Sequence, residues 1–332
     1  MKKIIYYLFV PICGLTLMLY SCSSENSSTI ASAASYSALK DQAVASSTQH
    51  FHFNAQDGLA NFTSSSGVEI AISATALSLN GNPITSGQID IEYVEIFDGG
   101  TMAATGKHTM GKMPNGKRAM LLSGGEFYIN ATKNGQQLDL SNTITLEIPA
   151  ILTNGENIGN PNMTLWELTE NDSVWVQDTE MNPTGVNGVQ LGEAQMQGGE
   201  IASVYYAFIN DFGWTNVDCF YEDPRQKTTI LATAPDGYTK DNCSIYLHYD
   251  GRGNGLARLD TYLPQTAQFS EHYGQIPIGL VCHVIFMTES NGQWRYAIKP
   301  ATISAGAVYS FTMAETTVGS EAQLKAAINA LP

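Results

Sequence analysis

The sequence predicts an all-β chain with two β-sandwich-like domains and one short C-terminal helix. Three observations carry this. Charged residues make up only 14% of the 332 positions, while glycine (30 residues) and other small polar residues are plentiful, a composition of strands joined by polar turns. Apolar residues alternate with polar ones over short runs, the period of a half-buried strand. Sustained helical spacing is confined to the last dozen residues.

The elements follow in chain order. Two lysines, Lys2 and Lys3, precede an apolar run from Ile4 to Tyr20, and Leu19-Tyr20-Ser21-Cys22 reads as a bacterial lipobox. Charged start, apolar middle and small-residue cleavage site together form a secretory leader over residues 1–21, with Cys22 as the lipidated residue. Residues 22–49 are rich in Ser and Ala and poor in large apolar groups, so a flexible tether is expected, with at most a weak helical turn or two between Tyr36 and Ala45.

An N-terminal β-sandwich domain is expected over residues 50–152. Its strands include His50 to Phe53, Val68 to Ile72, Ile89 to Ile96, Glu126 to Thr132 and Ile144 to Ile148, punctuated by turn signals at Asn80-Gly81 and Asn134-Gly135. Residues 153–200 read as a linker and hairpin. Leu165 to Leu168 and Val174 to Val176 form the two arms, and the Gly/Asn-rich stretch from Asn182 to Gly199 is expected to be a loop. Residues 201–332 read as a C-terminal β-rich domain that ends in a helix. That helix starts with the Ser320/Gln323 capping-box pattern and carries Leu324, Ala327, Ile328 and Leu331 at helical spacing.

The formal charge is −15, and becomes two units more negative once Lys2 and Lys3 leave with the leader. Such a surface argues against nucleic acid as a partner. Beyond Cys13 and Cys22, three cysteines remain. Cys219 and Cys243 lie at similar positions of neighbouring predicted strands and are the expected disulfide in an oxidising compartment. Cys282 sits in a run apolar on both faces and reads as a small buried hydrophobe.

Two stretches carry a family resemblance. One is the set Gly67 to Ala76, Gly87 to Ile96 and Ser123 to Ile129. The other is Gly213-Trp-Thr-Asn-Val-Asp-Cys-Phe-Tyr-Glu-Asp-Pro224. Together they resemble uncharacterised secreted or lipid-anchored proteins of Bacteroidetes-type bacteria. In these, a Gly-Trp-Ile-Asn-Cys-Asp-type motif follows an N-terminal β-domain that is distantly similar to ZU5-like sandwiches. Val217 stands where that pattern often has cysteine, and Cys219 falls two positions later. The resemblance implies a location and an architecture and lends no activity.

Trp214, Asn216 and Asp218 would share one face of a strand. An indole beside an amide and a carboxylate is what a sugar-binding platform needs; the alternative is a core tryptophan whose polar neighbours bond nearby backbone. His50 and His52 have chelating spacing but no evident third ligand, so no metal is expected. Asp250-Gly-Arg-Gly-Asn-Gly255 has half a calcium-loop rhythm, and a tight turn explains it better. Asp172-Ser173-Val174 matches an O-glycosylation pattern of exported proteins, marking Ser173. No nucleophile elbow, zinc-protease motif or phosphate loop is present, and no cofactor is expected.

The expected role is therefore non-enzymatic: a lipid-anchored protein of the outer membrane, binding a glycan or another envelope protein. Ser23, rather than an aspartate, follows the lipidated cysteine, and Glu25 as the only near acid leaves surface exposure open. A surface hydrolase acting on polysaccharide or peptide is the alternative.

Overall fold

The computed structural model describes residues 30–153, 158–168, 174–179, 188–195 and 199–332. Cys22 and Ser173 lie outside them. The described chain is all-β in class, with most of its ordered residues in strands.

Alternating runs in the first half build two facing sheets. The larger has the order Gln49–Asn54, Gln88–Ile96, Arg118–Lys133, Gly213–Phe220, Thr164–Leu168, Trp175–Gln177 and Met110–Lys112. Its last strand pairs back with Arg118–Lys133, so five of the strands close into a ring. The facing sheet runs Val189–Gln195, Ile201–Ile209, Ile144–Pro149, Glu69–Ser73, Leu59–Thr63. Ile70, Ile72, Ile91, Phe127, Leu146 and Val217 fill the space between them.

The second half is another pair of sheets. Four strands, Thr261–Leu263, Gln268–Pro277, Lys227–Thr233 and Val308–Ser310, face five others: Leu256–Arg258, Cys243–Tyr249, Val281–Ser290, Gln293–Thr302 and Thr317–Gly319. The period of two is plain in Cys243–Tyr249. Ile245 and Leu247 enter the inter-sheet core, while Tyr246 points to the opposite side. The apolar run around Cys282 has the same explanation. Val284 and Phe286 face one core, and Ile285 and Met287 face the other.

That outer face is covered by three helices, α1 (Ala33–Ser47), α2 (Gly99–Thr105) and α3 (Glu321–Asn329). The α3 cap forms as the sequence predicts, with the Ser320 and Gln323 side chains each bonded to the other's backbone N–H. The helix α1 corrects the expected tether. Ser32 and Ser35 form a capping box at its start, and Tyr36, Leu39 and Ala43 make a narrow stripe that is buried against Trp294, Tyr246 and Val94. Three buried residues in fifteen are too few to stand out in a Ser/Ala-rich composition, and packing rather than propensity holds this helix.

Two further expectations give way. The boundary drawn at residue 201 does not divide the halves: Ile201–Ile209 and Gly213–Phe220 are central strands of the first pair of sheets. The loop expected from Asn182 to Gly199 contains the strand Val189–Gln195, an edge strand with little burial and so a weak alternation signal.

Candidate functional site

The strand Gly213–Phe220 organises both sites of interest. It pairs with Arg118–Lys133 in a register that places Asn216 opposite Glu126 and Asp218 opposite Ser123. Val217 therefore faces two residues, Gly124 and Gly125, which form a β-bulge. Gly125 has φ +130°, and a Cβ there would lie 2.5 Å from the Phe97 ring. A Cβ on Gly124 would meet the Val217 carbonyl at 2.7 Å. The bulge thus requires this glycine pair, and Gly125→Ala is expected to cost about 1–3 kcal/mol through overpacking and backbone strain. Urea denaturation checks this; an unchanged midpoint would contradict it.

The bulge turns Ser123 and Glu126 to the same face as Asn216 and Asp218. Ser123 Oγ donates to Asn216 Oδ1 at 3.1 Å, and Asn216 Nδ2 donates to Asp218 Oδ2 at 2.6 Å. The side chains of Asn216, Asp218 and Glu126 are fully buried. Burial pushes the Glu126 carboxyl up to about 8, partly offset by the Lys107 ammonium. Asp218 is held well above the ordinary carboxylate range by burial and by Glu126, against hydrogen bonds from Ser123, Gly124 and Asn216.

This corrects the sugar platform expected at Trp214, Asn216 and Asp218. The three do share one face of a strand, but the amide and the carboxylate are sealed inside the ring of strands and cannot meet a ligand. The half-buried Trp214 ring is already occupied: Lys107 Nζ lies 4.3 Å from its centroid, and the Tyr128 ring packs at 5.4 Å.

The expected disulfide is corrected too. Cys219, Cys243 and Cys282 are all free and buried. Cys219 belongs to the first core and Cys243 to the second, because the strands that carry them lie in different sheets. Asn160 Nδ2 donates to the Cys219 sulfur at 3.4 Å, and burial pushes the Cys219 thiol up to about 12, which keeps it un-ionised and unreactive.

His50 and His52 are exposed on an edge strand. Among the described residues no three His, Cys, Asp or Glu side chains are grouped to hold a metal ion. Asp250 Oδ1 lies 2.8 Å from His283 Nδ1, at the start of the tight turn that the glycines permit.

At the other end of the same strand lies an open cleft of about 560 Å³. It sits where the ring meets the Asp250–Gly255 turn of the second half. Asn160, Asn162, Thr164 and Gln177 line one side, and Phe220, Tyr221, Glu222 and Arg252 the other. Trp166 forms its back wall. That indole is itself buried, donates from Nε1 to the Asp218 carbonyl at 3.0 Å, and meets the Phe220 ring edge to face at 5.1 Å. No protein-family model and no curated protein matches this chain. The cleft's chemistry must therefore speak for itself.

Among the described residues its polar lining is three neutral amides, the Thr164 and Tyr221 hydroxyls, one carboxylate and one guanidinium. Tyr205 fixes the loop that carries the asparagines by donating to the Asn160 carbonyl at 3.1 Å, and the Asn162 N–H bonds Asn160 Oδ1 at 3.0 Å. Sequence reasoning missed this site because the asparagines fell in what reads as a linker. The available signal was the density of asparagines immediately before a tryptophan-bearing hairpin.

Proposed function

We propose that this is a lipid-anchored envelope protein that binds a neutral glycan in the cleft beside Trp166. The observation that carries the reading is the cleft's lining. Amide groups offer both donors and acceptors to hydroxyls, Phe220 and Tyr221 offer half-buried aromatic surface to C–H faces, and the described lining carries one carboxylate and one guanidinium. A location at the junction of two packed units is where ligand sites favour.

Binding accounts for the cleft better than hydrolysis does. Glycoside cleavage normally needs two carboxyl groups, and among the described lining residues Glu222 is the single carboxylate. The adjacent Asp223 is held well below the usual carboxylate range by the Arg225 guanidinium and by Tyr221, which both donate to it. The Cys219 thiol is pushed up to about 12, chiefly by burial, and stays un-ionised.

The lipobox at Cys22 supports the anchor. No helix among the described residues is long and apolar enough to cross a membrane. From Ala31 onward the backbone is fixed to the body, since Asn242 Nδ2 donates to the Ala31 carbonyl at 3.0 Å. Nine residues from the lipid give a reach of at most roughly 30 Å. The folded body would thus sit close to the membrane rather than at the end of a long leash. Labelled fatty acid should be incorporated by the wild type and lost in Cys22→Ala; no label on the wild type would overturn the anchor.

For the site, a glycan-array screen of the mature protein should return neutral sugars with micromolar to millimolar affinity. Asn162→Ala should weaken retention several-fold with an unchanged melting temperature, because the side chain is exposed. Retention of acidic glycans only, or an unaffected variant, would contradict the reading.

A further inference from the structure

The strand end that walls the first cleft also walls a second. Phe220, Tyr221 and Glu222 border another open depression of about 570 Å³ on their far side, lined beyond them by Met113, Ala119, Asp223, Lys227 and Gln275. These three consecutive residues are shared by the two linings. Each cleft lies within the roughly 300–1,000 Å³ range of small-molecule sites.

We infer that the two clefts are adjacent subsites of one groove, which takes a neutral oligosaccharide laid across the Phe220–Tyr221–Glu222 divider. The inference rests on the glycan reading of the first cleft and adds the length of the ligand. Tyr221 is braced for this position: its hydroxyl donates to Asp223 at 2.7 Å, and its ring meets the Tyr249 ring edge to face at 5.3 Å. Glu222 is exposed and borders both clefts, so it accepts hydroxyl hydrogen bonds from either side. Arg252 flanks Glu222 in the first cleft and Lys227 flanks it in the second. In the second cleft, Asp223 is spent on Arg225, with Nη2 donating at 2.6 Å. Apolar Met113 and Ala119 beside polar Gln275 repeat the mixture of C–H surface and amide found next to Trp166.

The test is calorimetric titration of the mature protein with neutral gluco-, manno- and xylo-oligosaccharides of one to six units. Affinity should rise by roughly tenfold from the single sugar to the chain that fills both subsites, and then level off. Gln275→Ala, which touches only the second cleft, should remove most of that gain. Affinity independent of length, or a gain untouched by Gln275→Ala, would overturn the two-subsite groove. In that case binding of single sugars that is still weakened by Asn162→Ala would leave the first cleft's reading standing. No binding of any sugar at any length would overturn both.

Discussion

Glu126→Gln is expected to stabilise the protein at neutral pH and to flatten the dependence of its stability on pH. The side chain is fully buried, and neither carboxyl oxygen has a hydrogen-bond partner. Below about pH 4.5 the group is protonated in both the folded and the unfolded chain, and its titration costs nothing. As pH rises towards about 8, the unfolded carboxyl ionises while the buried one keeps its proton. Folded-state stability is lost through that window, by about 3 kcal/mol at pH 7, and the loss is complete above pH 8. Asp218 adds a loss of the same sign. The glutamine removes the Glu126 share, so the stability difference between variant and wild type should grow by about 3 kcal/mol from pH 4.5 to pH 7. Urea denaturation at the two pH values measures it. A variant equally displaced from wild type at both would contradict the buried, protonated state.

The second large effect concerns α1. Tyr36 is almost fully buried and meets the Trp294 ring edge to face at 6.1 Å, while Lys40 Nζ lies 4.4 Å from the centre of its own ring. Tyr36→Ala should cost about 3–5 kcal/mol, the range for truncating a buried aromatic residue. Because α1 lies between the outer face of the second half and Val94 of the first, the loss should lower the melting temperature of the whole protein. If residues 30–47 were a leash, the substitution would change nothing, and thermal melting separates the two outcomes.

The parts of the fold legible in the sequence are those with strong local signals. Ile89 to Ile96, whose apolar and polar residues alternate up to Tyr93, is the strand Gln88–Ile96, and the hairpin read around Trp166 and Trp175 pairs in register. The C-terminal helix announced itself through its capping box. What the sequence hid depends on tertiary partners. The helix α1 has only three buried side chains and reads as a tether until the sheet that covers them is known. The edge strand Val189–Gln195 is little buried and loses its alternation.

The site was half legible. Alternation put Trp214, Asn216 and Asp218 on one face, and the register agrees. Nothing local says that this face curls inward. Closure of the ring by Met110–Lys112 and Trp175–Gln177, with the Gly124-Gly125 bulge opposite Val217, turns the polar pair into interior groups. The cysteine pairing failed for a related reason, since similar positions in predicted strands do not reveal which sheet each strand joins. The cleft beside Trp166 draws on five separated segments, from Leu122 to Arg252, and no sequence window contains it.

The central claim is that ligand is held beside Trp166 and not on Trp214. Hydrogen exchange read by mass spectrometry, with and without a mixture of neutral oligosaccharides, tests it most directly. Protection is expected in residues 158–166 and 219–222. Protection centred on residues 105–107 and 214 instead, or no protection anywhere, would contradict the account.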